Sequence, residues 1–441
     1  MERTMRFSPR PLLVLLVTLA VHGGVSGQTF TFNPNNLIVA RFGGDANFGP
    51  GGSTLTSAAT AVFLDQFLPN ATGQTSPVNT AGGSLSIALP TAANGTQLAL
   101  TDSGTATSNG YLSRTADGSA LLVSGYNASV GTASVAGSNP ATVSRTIGVV
   151  TASGVNTATG FNNGPSNNFR SLTAISPTDT IYASTGGSAT TPGVLGRTVD
   201  NTVANASSIA NGNTRVARIF ANTLFVSSGA AAPGIGVSVV GAPGTLPGAG
   251  ASATSVVTTG TSSTSSPYGF VFVSNPLNAS NYQGTGLNTL YVADENTTNG
   301  GIKRYVFDGT AWNLTGNILA AASGSDAGTR GLTGSLDPTT NTVTLFATTT
   351  ASSANRLVSV TDVLTSSGGA FGSFSTLATA PTNTVFRGVD FAPLTPVPEP
   401  AGVLAVTAAA VGAAGLVRRR VRRANSLASA AGGSDDMLSE K

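Results

Sequence analysis

The sequence predicts an all-β chain folded as a β-propeller of about six blades, and three observations point to it. One short apolar pattern recurs six times, further short strands flank each copy, and no segment of the body keeps a 3.6-residue apolar period. The pattern is an aliphatic residue, an aliphatic or aromatic one, a small apolar one, then Ala, Ser or Thr. Its copies are Leu37-Ile38-Val39-Ala40, Leu121-Leu122-Val123-Ser124, Ile181-Tyr182-Ala183-Ser184, Leu224-Phe225-Val226-Ser227, Leu290-Tyr291-Val292-Ala293 and Leu345-Phe346-Ala347-Thr348. Polar turns such as Asn222-Thr223 and Asn288-Thr289 precede most of them, as expected where a strand follows a tight hairpin.

Each element of a blade can be placed from the runs around these copies. An upstream strand is read over Tyr111 to Arg114, Phe169 to Ile175, Arg215 to Phe220, Tyr268 to Val273, Arg330 to Leu336 and Arg387 to Phe391. A third strand is clear at Gly301 to Val306 and Asn355 to Val360, and fourth strands are fainter, at Trp312 to Thr315 and Phe374 to Ala378. Leu37 to Phe42 has no strand before it, and Arg387 to Phe391 has none after it. Joining them makes one composite blade that closes the ring and hides both free edges. The repeat averages about 61 residues, longer than the ~40–45 of a WD40 blade, so some loops are long. Spacings of 43 residues (Ile181 to Leu224) and 84 (Leu37 to Leu121) are too irregular for a stacked β-solenoid. A seventh blade follows only if Ser84 to Leu89 opens one of its own.

The two ends have a different character. Arg3, Arg6 and Arg10 precede the apolar run Leu12 to Val21, and Val25, Ser26 and Gly27 suit a cleavage site before Gln28. Residues 1–27 therefore read as a signal peptide, a signal helix removed on export, and too short to span a ~30 Å hydrocarbon core. At the other end, Pro398-Glu399-Pro400 is followed by the apolar run Ala401 to Val417. A basic cluster then follows, at Arg418, Arg419, Arg420, Arg422 and Arg423. That order describes a short transmembrane helix with its positive end held cytoplasmic, so the body lies across the membrane from it.

Pro-Glu-Pro, apolar helix and arginine cluster, in that order and at that end, resemble the PEP-CTERM sorting signal over residues 397–423. The resemblance implies a bacterial, exported protein whose tail is recognised and removed by exosortase, a membrane protease-transpeptidase. It also implies a cell-envelope, cell-surface or extracellular-matrix location, often alongside exopolysaccharide. The residues that carry it are Pro398, Glu399, Pro400, Arg418, Arg419 and Arg420. Residues 424–441 form a polar tail beyond the usual end of that pattern and read as disordered. Tails of this type are sometimes labelled ice-binding, but the Thr-rich runs Thr258 to Thr264 and Thr348 to Thr350 do not recur with the fixed period a flat ice-binding face needs.

Only 9% of the 441 residues are charged, and there is one His and no Cys. His22 lies in the signal segment. The body, residues 28–396, then has neither residue type, which excludes Ser-His-Asp and Cys-His triads and zinc sites built on them. The body carries 12 basic and 13 acidic residues, so the overall basic balance belongs to the targeting ends and nucleic acid is not an expected partner. Gly43-Gly44, Gly51-Gly52 and Gly186-Gly187 read as turns, since no helix follows to complete a phosphate loop. Lys303, the only lysine of the body, is the one seat for Schiff-base chemistry.

Carboxylates remain. Asp294 and Glu295, directly after a core strand, are the nearest approach to a metal site. Calcium, which wants six to eight oxygens, is the only cofactor they would suit. The plainer reading is a polar hairpin loop, and the same holds for Asp45. Four arginines, Arg170, Arg215, Arg330 and Arg387, stand near the start of upstream strands and so converge on one mouth of the central channel. They either bind an anionic ligand, such as a uronic-acid or sulfated sugar, or pair with Asp179, Asp337 or Asp390 and bridge blades. Trp312 reads as a packing residue. The expected function is that of an exported, non-catalytic surface or matrix protein with a structural or binding role in the envelope or exopolysaccharide. The alternative is an exported lyase or hydrolase using carboxylate, Arg and Tyr chemistry, with calcium in support.

Overall fold

Alternation along Leu37–Phe42 sends Ile38, Ala40 and Phe42 to one side of the strand and Leu37 and Val39 to the other, and both sides are fully buried. A strand buried on both faces must lie between two apolar layers, and the computed structural model, which describes residues 30–78, 84–321 and 324–394, supplies them. Six sheets of four or five strands, antiparallel but for one short edge strand, are arranged as the blades of a propeller.

Blade 1 is composite: Val385–Phe391 is innermost, followed outward by Leu37–Phe42, Val62–Phe67 and Ser86–Ala88. Leu37 pairs with Phe391 and Val39 with Val389, so the two ends of the body close the ring as the sequence predicts. Ser86–Ala88 is the outer strand of this blade, so no seventh blade begins there. A small ribbon pairs Asp102–Ser103, in the stretch before blade 2, with Ala59–Thr60, in the connection between two strands of blade 1.

Blade 2 runs outward as Leu112–Arg114, Leu121–Tyr126, Arg145–Thr151 and Gly154–Phe161, with Val203–Ala204 added in parallel at its edge. Blade 3 is Phe169–Thr173, Thr180–Thr185, Pro192–Thr198 and Ser207–Asn211. Blade 4 is Ala217–Phe220, Thr223–Ser228, Gly236–Val240 and Ala253–Thr258. Its first hairpin turns on Ala221 and Asn222, both at positive φ (46° and 53°), the two-residue geometry that matches strand twist. Blade 5 is Pro267–Val273, Thr289–Asp294, Gly301–Phe307 and Trp312–Ile318. Blade 6 is Thr329–Asp337, Thr342–Thr349 and Arg356–Thr365, with Gly368–Phe371 and Ser375–Thr379 sharing the outer position.

The core is divided among the seams. Among the described residues there are six apolar clusters, one between each pair of adjacent blades. Leu290 and Val292 face blade 4 while Tyr291 and Ala293 face blade 6, the period-two division repeated around the ring. Burial declines outward: in blade 5 the first three strands are wholly buried and the outer strand is mostly exposed.

Buried ion pairs cross these layers. Arg41 meets Asp65 at 2.7 Å between neighbouring strands of blade 1, and Arg304 of blade 5 grips Asp362 of blade 6 with both contacts at 2.7 Å. Among the described residues no helix is long and apolar enough to cross a membrane. The signal helix, the Pro398-Glu399-Pro400 motif, the expected transmembrane helix and the basic cluster lie outside the described residues.

Candidate functional site at the entry mouth of the channel

The six inner strands run parallel to one another around the axis, so residues at the start of each meet at one end, the entry mouth. In blade order from blade 1 these residues are Arg387, Tyr111, Arg170, Arg215, Tyr268 and Arg330. The four arginines expected here converge as the sequence predicts. The two tyrosines belong to blades 2 and 5, on opposite sides of the axis. Their rings stack across it with centroids 5.8 Å apart and planes inclined by 25°. Both tyrosines are 2% exposed, so the stack fills the mouth.

The backbone explains how close the strands come. Gly388 N–H donates to Gly110 O at 3.0 Å, and Tyr111 N–H donates to Arg170 O at 3.1 Å, linking blades 1, 2 and 3. A Cβ on Gly388 would run into the backbone of Gly110, Tyr111 and Leu112, and one on Gly331 would run into Arg387 O and Thr348. Glycine at these positions is required by the close approach of strands.

The arginines fasten neighbouring segments. Arg170 donates to Asn213 Oδ1 (2.6 Å) and Thr214 O (2.5 Å), just before blade 4. Arg215 donates to Ser266 Oγ (2.7 Å) and Pro267 O (3.1 Å) of blade 5, its guanidinium 4.1 Å from the Tyr268 ring centroid. Arg330 reaches back to Glu295 Oε2 at 2.9 Å and donates to Thr350 O at 2.8 Å. Arg387 donates to Gly104 O at 3.2 Å, while its Nε and Nη1, like Arg170 Nε, have no partner among the described residues.

Burial lowers Arg387 to about 10, helped by Arg330; burial lowers Arg170 to about 10 as well, helped by Arg215. The carboxylate partners expected for them are elsewhere. Asp179 bonds Ser176 and Asp337 holds a turn through Thr339 and Thr340. Asp390 lies three residues past Arg387, about 10 Å along the strand at ~3.3 Å per residue, and so belongs to the opposite end of the channel. There it meets Arg218 at 2.5 Å.

Glu295 comes to the entry mouth at the end of a second strand, as the sequence predicts. It accepts from Arg330, from Ser266 Oγ (2.7 Å) and from Tyr268 Oη (3.0 Å). Burial, first of all, raises the Tyr268 phenol above its usual value, so it stays a protonated donor at neutral pH. Asp294 is fully buried and accepts from Lys303 Nζ (2.7 Å), Ser265 Oγ (2.5 Å) and the backbone N–H of Ser266 and Asn296. Oxygens that calcium would need are thus engaged in both residues. Among the described residues no three His, Cys, Asp or Glu side chains gather as a metal-holding cluster. Lys303, the one candidate amine, is 4% exposed and paired. Asp45 holds a turn by accepting from Asn47 and Gly49 N–H, which lowers its carboxyl below the usual value.

A buried acid that the sequence reading passed over lies beside the ring. Asp102 accepts from Ser103 N–H (2.7 Å) and Asn109 Nδ2 (2.8 Å), and its Oδ2 is without a partner among the described residues. Burial raises it from 3.8 to about 7, against the pull of these bonds and of Arg387 and Arg145. Asn109 Nδ2 also donates to Tyr126 Oη, which in turn accepts from Phe169 N–H. Tyr111 and Tyr268 were legible in sequence as heads of two upstream strands; Asp102 had no such signal, because it sits in a long inter-blade segment. Trp312 packs on Phe272, Tyr282 and Phe307, as a packing residue should.

The class is thus a six-bladed all-β propeller with a stoppered entry mouth. No family model matches the chain, and no curated protein matches it. Among solved structures it is similar to the hemagglutinin-neuraminidase ectodomain of parainfluenza virus 5, at 10% identity over 74% of this chain and 76% of that one, with a TM-score of 0.36. It is also similar to the dihydro-heme d1 dehydrogenase NirN, at 10% identity over 83% of this chain and 77% of that one, with a TM-score of 0.32. Likeness at this level says nothing of chemistry.

Proposed function

We propose that the chain is an exported cell-surface or extracellular-matrix protein with a non-catalytic, structural or binding role, sorted through its PEP-CTERM-like tail by exosortase. The observation that carries the non-catalytic reading is the state of the entry mouth. Of the groups best suited to acid–base work there, Tyr268 is buried and already donates to Glu295, and the half-buried Glu295 carboxylate also accepts from Arg330. In this reading the arginine ring fastens blades to one another, and the anionic-ligand role of Arg170, Arg215, Arg330 and Arg387 is secondary. A hydrolase or lyase would have to break the Tyr268–Glu295–Arg330 network to free its acid or base. Envelope or exopolysaccharide is the proposed setting, reached through transient membrane attachment.

The sorting half of the proposal is tested by replacing Pro398, Glu399 and Pro400 with alanine in the bacterial host. Mass spectrometry and cell fractionation then follow the chain. The native chain is expected at the surface or in the medium without residues beyond the motif, and the variant is expected in the membrane with its tail retained. Equal mass and equal distribution of both chains would count against it.

A further inference from the structure

The other end of the channel has the features of a binding site that the entry mouth lacks. A cavity of about 210 Å³ lies in the channel itself, and a second of about 570 Å³ opens between blades 6 and 1. Arg114 and Phe391 line both, so the two spaces meet at one cation and one ring. The larger lies within the ~300–1,000 Å³ range of small-molecule sites.

The charge here is unbalanced in a particular way. Three charged side chains line the channel cavity: Arg114, Arg218 and Asp390. Asp390 is saturated, accepting from Arg218, Thr333 Oγ1 (2.8 Å), and the N–H groups of Arg114 (2.8 Å) and Phe391 (2.9 Å). The Arg114 guanidinium makes one hydrogen bond to protein, at 3.3 Å to Ala392 O, and among the described residues it has no ion-pair partner. It lies 5.6 Å from the centroid of the Phe391 ring. The larger cavity adds neutral hydrogen-bonding groups, Asn35, Asn70, Ser335 and Thr344, and apolar surface from Leu394. Among the described residues no acidic one lines it.

We infer that this cleft binds an acidic saccharide, a uronate residue whose carboxylate pairs with Arg114. A guanidinium offers two parallel N–H donors that match a carboxylate. The uncharged amide and hydroxyl groups suit ring hydroxyls, and Phe391 with Leu394 suits the apolar face of a sugar. One cation, unpaired among the described residues and with no described helix N-terminus beside it, fits a monoanion better than a phosphate. The inference gives the binding role proposed above a ligand class and rests on that reading only for where the ligand is met. Binding by the purified chain is independent of export, so the two can fail separately.

The test is calorimetric titration of the purified full chain with digalacturonate and, in parallel, with the neutral disaccharide lactose. Saturable binding of digalacturonate is expected, weakened by added salt and at least about tenfold tighter than lactose. Arg114→Gln should weaken it tenfold or more. Ser335→Trp, placed on the exposed rim to fill the larger cavity without touching Arg114, should weaken it too, which keeps the test valid if Arg114→Gln misfolds. Absence of saturable binding at millimolar ligand, equal affinity for the neutral sugar, or full affinity in the folded variants would each overturn the inference.

Discussion

Replacement of Tyr268 separates the hydroxyl's contribution from that of its ring. Tyr268→Phe removes one hydrogen bond, at 3.0 Å to a carboxylate. Bonds to charged groups contribute about 1.5–3 kcal/mol. Glu295 keeps Ser266 and Arg330 as donors, so no acceptor is orphaned and the low end, about 1.5 kcal/mol, is expected. Tyr268→Ala also removes the stack on Tyr111 and the face beneath Arg215. Truncation of a buried aromatic costs about 3–5 kcal/mol, and a stacked pair adds ~0.5–1.5 kcal/mol. The expected loss is therefore about 4–6 kcal/mol. Tyr111→Phe is the internal control: its hydroxyl bond, 3.5 Å to Thr107 O, is at the outer limit of a hydrogen bond, and a loss below ~0.5 kcal/mol is expected. Urea unfolding followed by the fluorescence of the single tryptophan measures all three, because Trp312 is packed on Phe272 and Phe307. A Tyr268→Ala variant within about 1 kcal/mol of the native chain would refute the claim that the stack stoppers the mouth.

Asp102 makes stability depend on pH with a definite sign. Its folded value, about 7, lies above the ordinary 3.8, so the folded state holds the proton more tightly. Stability from this group is fully present below about pH 4 and is lost as pH rises to 7, by roughly 4 kcal/mol at most. Asp102→Asn should flatten that part of the profile and be the more stable chain at pH 7, as read by urea midpoints at pH 4, 5.5 and 7. An unchanged difference between the two chains across that range would contradict it. Gly388→Ala places a methyl against the backbone of blade 2 and should cost about 1–3 kcal/mol, read as a lowered thermal midpoint. An unchanged midpoint would mean the inner strands are further apart than described.

What was legible in the sequence follows from where the solvent is. Second strands are buried on both faces, so Leu290–Ala293 and its five counterparts are runs of apolar and small residues that align on sight. Outer strands such as Trp312–Ile318 face water on one side, and their pattern dissolves into Asn, Thr and Gly. The composite blade was legible because the first core strand, Leu37 to Phe42, had no inner strand before it and the last inner strand, Arg387 to Phe391, had no core strand after it. Convergence of the arginines was legible from their shared place at the head of inner strands. Their partners were not, because four of the contacts run to backbone carbonyls, which any residue type supplies. Pairing of Tyr111 with Tyr268 depends on their being three blades apart, a fact of ring closure that no local window contains. The cleft at the other end of the channel was equally hidden, since Arg114, Ser335 and Phe391 come from three different blades.

Closure of the ring by the strand Val385–Phe391 is the claim on which both mouths depend. Val39 and Val389 are paired across that seam, and a chain with no native cysteine allows a clean cross-link there. Opposed residues on antiparallel strands have Cα atoms ~4.5–5.5 Å apart, within disulfide range. Mild oxidation of the Val39→Cys, Val389→Cys double variant, followed by thiol titration and urea unfolding, is the direct measurement. The ring described here predicts complete loss of free thiols within one chain and a gain of about 2–4 kcal/mol over the reduced form. Thiols that stay free in the folded chain, or that link only between chains, would contradict it.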